Sequence, residues 1–564
     1  MPRINPYDRT HLSRLTGYER KILRLYNEVV RKAALAASSI QGFNSEDVFC
    51  FDDHPILRTQ VDKLLAALNQ SVRVAIVNGI EAEWTLANNK NNELARQVFG
   101  DSIGELSQDQ YRRYFSTNDS ALQAFLSRNE GGLDLSQRVW KCTGALKPEL
   151  EMGIGLGIRN GLSAAEMSRD LRHFLQHPDA LFRRVRDEYG RLRLSKAAAD
   201  FHPGRGVYRS SYMNARRLAA TETNIAYHTA DYERWRQMDF VVGIRVVLSN
   251  NHTVNGMPLY DICDELSAPP GSEATKGRGC YPKDFKFTGW HPHCRCHAVS
   301  ILKTEEEMAA DNARILNWEK PSESSVNTVT KLPESYQKWI EDNGERIKKA
   351  RTMPYFITDN EGLMNGEFLD RACSKTRQKA MSVGDEVQGL AGKVAGRYGA
   401  VCTPINFKGV DSMKRKVLSE RSDLGLPSFS PDRLKDTVRT TIVADRDKIE
   451  DILDSLSSED CFLRLKRQNT SMGYTGNIVN ITTSSGLTAE IQVNTARMIY
   501  AKENPDVAQS IIGKQLWNKI RRETGQEGGL GHTFYEKWRV LDPKSREAKE
   551  ILKKSREYYS HFTS

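Results

Sequence analysis

Apolar residues recur at steps of three and four along much of the first 240 positions. Thr16 and Glu19 have the spacing of a capping box ahead of a stripe of Ile22, Leu25, Tyr26, Val29 and Ala33. A second stripe runs through Leu57, Val61, Leu64, Leu65, Leu68, Val72, Ala75 and Ile76. Such steps gather apolar side chains on one helix face, so region 1–125 predicts a helical bundle with the stripes as its core. The same stripes would also suit docking on a larger assembly. Ser163 with Glu166 predicts another helix start, after Gly155, Gly157 and Gly161. A long helix is expected from about Met213 to Trp235, carrying Arg216, Arg217, Thr221, Glu222, Asn224 and Tyr227. A strand is expected over Val241 to Leu248, followed by a segment rich in Gly, Pro and Cys.

The periodicity lapses between about Lys303 and Pro333. Pro321-Ser-Glu-Ser-Ser-Val-Asn-Thr reads as a polar linker. Tyr336, Trp339, Ile340 and Pro354-Tyr-Phe-Ile357 read as an aromatic connector. From about Ala380 the pattern alternates between helix and strand. It predicts a helix near Val387–Tyr398, strands at Thr437–Val443, Asn477–Thr482 and Thr488–Asn494, and helices again after Asp506. The tail from Lys544 to Tyr559 reads as a charged helix with a solvated face.

Composition narrows the reading. A chain of 564 residues is too long for one core, and roughly 3 to 4 domains are expected at ~100–200 residues each. No run approaches the ~20 apolar residues that span a bilayer. The start, Met1 to Thr10, has no apolar core of a secretory signal, so folding in a cytoplasm is expected. The net charge of +10 is a mild bias, compatible with nucleic acid or nucleotide phosphates. The odd count of nine cysteines argues against a disulfide framework.

Four of those cysteines, Cys263, Cys280, Cys294 and Cys296, crowd one short stretch beside His291, His293 and His297. Four thiolates suit a tetrahedral structural zinc, which would clamp a loop-rich region with a thin core. Buried free thiols, with histidines bonding the loop backbone, are the other reading. Glu222, beside Arg216 and Arg217, reads as a structural ion pair rather than a catalytic acid. The segment 130–305, from the Thr221-Glu-Thr-Asn helix to His291-Pro-His-Cys-Arg-Cys-His297, resembles the Mu F-like minor head protein family of tailed phages. The insert Asp261-Ile-Cys-Asp-Glu265 and Gly279-Cys-Tyr-Pro282 is only loosely family-like. The resemblance implies a low-copy virion component acting in head assembly or genome delivery. Its implied partners are phage portal and capsid proteins and phage DNA, its location the phage head and the host cytoplasm. Some members of that family carry toxin-like C-terminal domains.

The last third holds more chemistry. Lys408, Ser412 and Lys416 fall at equal steps of four, so a helix there would present two ammonium groups and a hydroxyl on one face. Asp436 opens the strand Asp-Thr-Val-Arg439. In Ala489-Glu-Ile-Gln-Val-Asn-Thr495, alternation puts Glu490, Gln492 and Asn494 on one face and Ala489, Ile491 and Val493 on the other. A polar face on an otherwise buried strand suits catalysis, and the two carboxylates could share a magnesium ion. In order, Lys408/Ser412/Lys416, Asp436/Arg439, Gly473/Tyr474 and Glu490/Gln492 resemble the motifs of RelA/SpoT-type alarmone synthetases over about 380–500. That resemblance implies that Lys408, Lys416 and Arg439 hold the phosphates of ATP and that Asp436 and Glu490 bind magnesium. It also implies that Glu490 removes the proton of the attacking ribose hydroxyl and that Tyr474 stacks on the acceptor base. The chain departs from the family at Gly473-Tyr-Thr-Gly-Asn-Ile478, which lacks the family's Arg and His, at Asn494-Thr495, and at Asn406. An acceptor other than a guanine nucleotide, such as another nucleotide or a tRNA end, is therefore open.

The expected organisation is multidomain: a mainly α N-terminal half (1–125 and the head-protein-like 126–305, which ends in a small α+β cysteine-rich segment), a linker and connector over 306–375, and an α/β, mixed-sheet, nucleotidyltransferase-like domain over 376–564. The expected function is a virion protein with a toxin-like pyrophosphotransferase as cargo. The alternative is a purely structural capsid protein whose last domain keeps the fold without catalysis. A zinc-dependent nucleic-acid-binding protein is a third reading.

Overall fold

A computed structural model describes residues 4–40, 49–178, 208, 210–249, 260–350, 353–423, 429–538, 541 and 545–563, together with short strands at 185–186, 192–193, 253–254 and 257–258. The chain forms two compact units, Met1–Asn360 and Glu361–Ser564. Among the described residues no helix is long and apolar enough to cross a membrane.

The first unit is built on three long helices, α1 (Pro6–Ala37), α2 (Pro55–Phe99) and, later in the chain, α4 (Ser211–Gln237), which pack against one another. Both expected stripes are buried in one core with Leu171 and Phe174 of α3 (Ala164–Gln176). Ser163 caps α3 with the reciprocal Glu166 bonds that its spacing predicts. Thr16 and Glu19 do not begin a helix: α1 starts ten residues earlier, at Pro6, capped by Asn5, whose side chain accepts from Tyr7 N. Proline at the first turn costs no hydrogen bond there, and Glu19 instead binds Arg216 and Arg295. Glu222 is a structural ion pair with partners other than those expected. It is fully buried and accepts from Arg128 and Arg138.

A three-stranded antiparallel sheet follows, with β1 (Val241–Val247) between β2 (Cys280–Tyr281) and β3 (His297–Leu302). The stretch expected as a linker is folded onto this unit. Thr304 caps α5 (Glu305–Leu316); Lys303 binds Asp311 at 2.6 Å; Val329 N donates to Val242 O. Tyr336 on α6 (Glu334–Asp342) and Phe356 are buried against Tyr281, Phe285 and Trp290. The aromatic residues of the expected connector thus serve as core of the first unit.

The second unit begins with α7 (Glu367–Ser382) and α8 (Gly384–Arg397). Short strands β4 (Val401–Cys402) and β5 (Asn406–Phe407) lead to α9 (Val410–Asp423), β6 (Val438–Val443) and α10 (Ile449–Ser457). Then come β7 (Phe462–Asn469), β8 (Thr475–Thr482) and β9 (Thr488–Asn494). The sheet is mixed, in the order β7-β8-β9-β6-β4, with β5 also on β6; β6 and β9 are parallel and the other pairs antiparallel. One face carries Val438, Ile442, Val479, Ile481, Ala489, Ile491 and Val493, sealed by α8 and α10. A second cluster gathers Met498, Tyr500, Ala508, Trp517, Ile520, Tyr558 and Tyr559 from α11 (Ala496–Lys502), α12 (Pro505–Ile512), α13 (Lys514–Thr524) and α15 (Arg546–Ser560), with Phe562 just after α15 and with α14 (Leu530–Trp538) packed against it. The tail helix is therefore more than a solvated face, because its tyrosines complete this cluster.

Candidate functional site

With α8 and α10 covering one side of the second sheet, polar residues accumulate on the other. In β6 and β9 the register sets Arg439 beside Glu490 and Thr441 beside Gln492. Across β8 and β9, Asn480 faces Glu490 and Ile478 faces Gln492. Directly paired residues share a face, so Arg439, Glu490, Gln492 and Asn480 form one surface. Gln492 Nε2 donates to Glu490 Oε1 at 2.6 Å, which orients the carboxylate. Asn480 is buried and accepts from Arg464 Nε at 2.8 Å.

Asp436 stands two residues before β6. Its Oδ2 accepts from Lys408 Nζ at 2.7 Å and Lys416 Nζ at 3.1 Å. Burial acts to raise its pKa, but the two ammonium groups of Lys408 and Lys416 prevail and hold the carboxyl below the usual range. Its other oxygen, Oδ1, is buried and has no hydrogen-bond partner. The three spaced residues are brought together in a different manner from that expected. Lys408 precedes α9 rather than lying on it, its backbone N–H donating to Thr437 O, while Ser412 and Lys416 sit one and two turns into the helix. Ser412 Oγ accepts from Arg415, and neither lysine bonds it among the described contacts.

Tyr474 follows Gly473, whose φ of 93° favours glycine. Its hydroxyl accepts from Asn494 Nδ2 at 2.9 Å, its ring meets Tyr559 edge-on, and Lys502 Nζ lies 5.0 Å from the ring centroid. Three departures from the alarmone-synthetase pattern lie on this surface or beside it: Asn406 pairs opposite Arg439, Asn494 holds Tyr474, and Ile478 faces Gln492.

Sequence reading missed β7. Its pairing with β8 places Arg464 opposite Asn480 and Lys466 opposite Ile478, hence on the same surface as Glu490. The signal was present in the alternation Phe462-Leu-Arg-Leu-Lys-Arg-Gln, but an exposed edge strand with so many charges does not stand out by hydrophobicity.

The cysteine-rich segment of the first unit also differs from expectation. Cys263, Cys294 and Cys296 converge, with His291 and Asp261 beside Cys263. Cys280 does not join them: it lies in β2, packs with Val242, Ile301 and Val329, and donates to Ala274 O.

Magnesium takes hard oxygen donors, and the buried, unpartnered Asp436 Oδ1 and the Glu490 carboxylate are of that type, so the donor chemistry fits; no described contact joins the two carboxylates.

No family model matches the chain. Among curated proteins it is similar to the (p)ppApp synthetase toxin Tas1 of Pseudomonas aeruginosa (strain UCBPP-PA14), 33% identical over 186 residues, which are 33% of this chain and 41% of that protein. The chain thus matches less than half the length of that relative. The similarity is to a RelA/SpoT-like alarmone synthetase region in the C-terminal part of the chain. Among solved structures, the complex of the Type VI effector Tas1 with its immunity protein matches at 32% identity, covering 34% of this chain and 96% of that one, with a TM-score of 0.30. The small alarmone synthetase 1 from Bacillus subtilis matches at 16% identity, covering 33% and 89%, with a TM-score of 0.22.

Proposed function

We propose that the C-terminal unit transfers pyrophosphate from ATP to an adenine nucleotide, and that the chain is a toxin-like effector. The observation that carries this reading is the pairing of Arg439 with Glu490 on the open face of the sheet, within a region similar to a relative named for (p)ppApp synthesis. The missing Arg and His after Tyr474 agree with an acceptor other than guanine.

In this reading Lys408, Lys416 and Arg439 hold the ATP phosphates, with Arg464 and Lys466 as further cations on the same surface. Asp436 and Glu490 would hold magnesium, which when bound neutralises phosphate charge. Glu490, oriented by Gln492, takes the proton of the ribose hydroxyl; the hydroxyl oxygen bonds to the β-phosphorus, the α–β bridge breaks, and AMP leaves. Tyr474 offers its ring to the acceptor base, as an aromatic platform does. Such a transfer is mostly positioning and charge neutralisation. The phage-head role of 126–305, with portal, capsid and DNA partners and a virion location, is part of the proposal and rests on the motif ending in Cys294-Arg-Cys296.

The test is incubation of the purified full chain with ATP, magnesium and, separately, AMP, ADP, GDP, GTP and tRNA. Pyrophosphorylated adenine nucleotides are expected. A folded chain that transfers to no acceptor would favour the alternative, a structural protein with an inactive last domain.

A further inference from the structure

In the first unit, Cys263 lies on the short helix Ile262–Leu266, His291 and Cys294 on the loop before β3, and Cys296 at the strand's edge. We propose that these four residues, Cys263, His291, Cys294 and Cys296, form a binding site for a single zinc ion. The site replaces the four-cysteine set that spacing alone suggests, with His291 in the place of Cys280.

Three observations converge. First, the Cys263 and Cys294 sulfurs are 3.8 Å apart, the separation of two thiolates each about 2.3 Å from a tetrahedral zinc. All three sulfurs lie within 4.8 Å of one another, and all three cysteines are almost wholly buried. Second, His291 presents the correct nitrogen. Its Nδ1 donates to Pro292 O at 2.8 Å, which leaves the lone pair on Nε2, 3.1 Å from Cys263 Sγ. A ring N–H bound to a backbone carbonyl is the usual outer support of a zinc-ligating histidine. Third, the surroundings hold the donors in place. Ser267 Oγ lies 3.6 Å from Cys296 Sγ and is itself held by Trp290 Nε1. Asp261 Oδ1 accepts from Cys263 N, which fixes the start of the short helix; its other oxygen, 3.3 Å from His291 Nε2, is an oxygen donor competing for the same edge of the site. The loop turns through positive φ at Gly289 and at His293, a conformation that L side chains seldom adopt.

Two other candidates are engaged elsewhere. Cys280 belongs to the apolar cluster on β2, and His293 faces Glu19 at 3.6 Å. His291 is one-third exposed, so it is the solvent-side ligand and marks the entry path. Zinc bound here would tie the short helix to the loop and to β3, and its binding free energy would become stability of the first unit.

The experiment uses the full chain, expressed with zinc and purified without chelators. About one zinc per chain is expected, and replacement by cobalt(II) should give the intense visible absorption of a tetrahedral thiolate site. Cys280→Ser should keep the metal in full. His291→Ala, a change at a partly exposed side chain that should spare the fold, should weaken zinc retention and alter the cobalt spectrum. Chelation should lower the melting temperature of the wild type and leave Cys296→Ser, if folded, unaffected. Metal-free wild-type protein, or loss of metal in Cys280→Ser with none in His291→Ala, would overturn the assignment.

Discussion

Glu490 and Glu149 show how differently two carboxylates are used. Glu490 lies on an open polar surface with one oxygen bound by Gln492. Glu490→Gln keeps the shape and loses both the charge for magnesium and the basicity for the hydroxyl proton. Pyrophosphate transfer should fall by about 100- to 10,000-fold with an unchanged melting temperature, measured by product formation and circular dichroism; full activity would remove Glu490 from the site. Glu149 is buried in the first unit, where its oxygens meet Ser211 N and Oγ. Burial outweighs these bonds and pushes its pKa from 4.5 up to about 8. The folded state therefore holds a proton that the unfolded chain has released between pH 4.5 and 8, so this group's contribution to stability is present below that window and lost as pH rises through it. Glu149→Gln should match the wild type near the bottom of the window and melt higher at its top. Parallel melting curves for the two proteins at every pH would refute the burial argument.

At the scale of elements, β7 and α15 carry functions their sequences conceal. Strand β7 sends Leu465 toward the core and Arg464 and Lys466 to the polar surface. Lys466→Ala should raise KM for ATP with little change in stability, since Lys466 is exposed; an unchanged KM would exclude that cation from the phosphate site. Helix α15 buries Tyr558 and Tyr559, and its Ser555 donates to Met472 O just before the Gly473 turn. Tyr559→Ala should cost about 3–5 kcal/mol, as for other buried aromatic truncations, and loosen Tyr474, which Tyr559 meets edge-on. Denaturant unfolding would measure the first effect and nucleotide affinity the second.

On the scale of the whole molecule, the division into Met1–Asn360 and Glu361–Ser564 predicts two unfolding transitions, since separate cores unfold as separate cooperative units. Calorimetry should resolve them, and ATP with magnesium should move only the transition of the second unit. Limited proteolysis should spare 321–333, where Ser322 N and Val329 N are bonded to Asp311 and Val242. A single transition, or ready cleavage inside that stretch, would contradict the division.

The apolar stripes of α1 and α2, the cap at Ser163, the strand Thr488–Asn494 with its polar face, and the carboxylates and cations in ordered motifs were legible in the sequence, because each depends on neighbours within a few positions. Other features depend on partners far along the chain. Glu222 was legible as paired, but only folding selected Arg128 and Arg138 over the nearby Arg216 and Arg217. Lys408 and Lys416 suggested a helix face, yet their meeting at Asp436 depends on how α9 lies against the start of β6. Four crowded cysteines suggested four ligands, and strand pairing took Cys280 into an apolar cluster while a loop turn brought in His291. Local pattern determines which face of an element is apolar or polar; only tertiary packing decides which charges and sulfurs from distant segments come within bonding reach, because that reach is a few ångströms and the chain between them spans tens of residues.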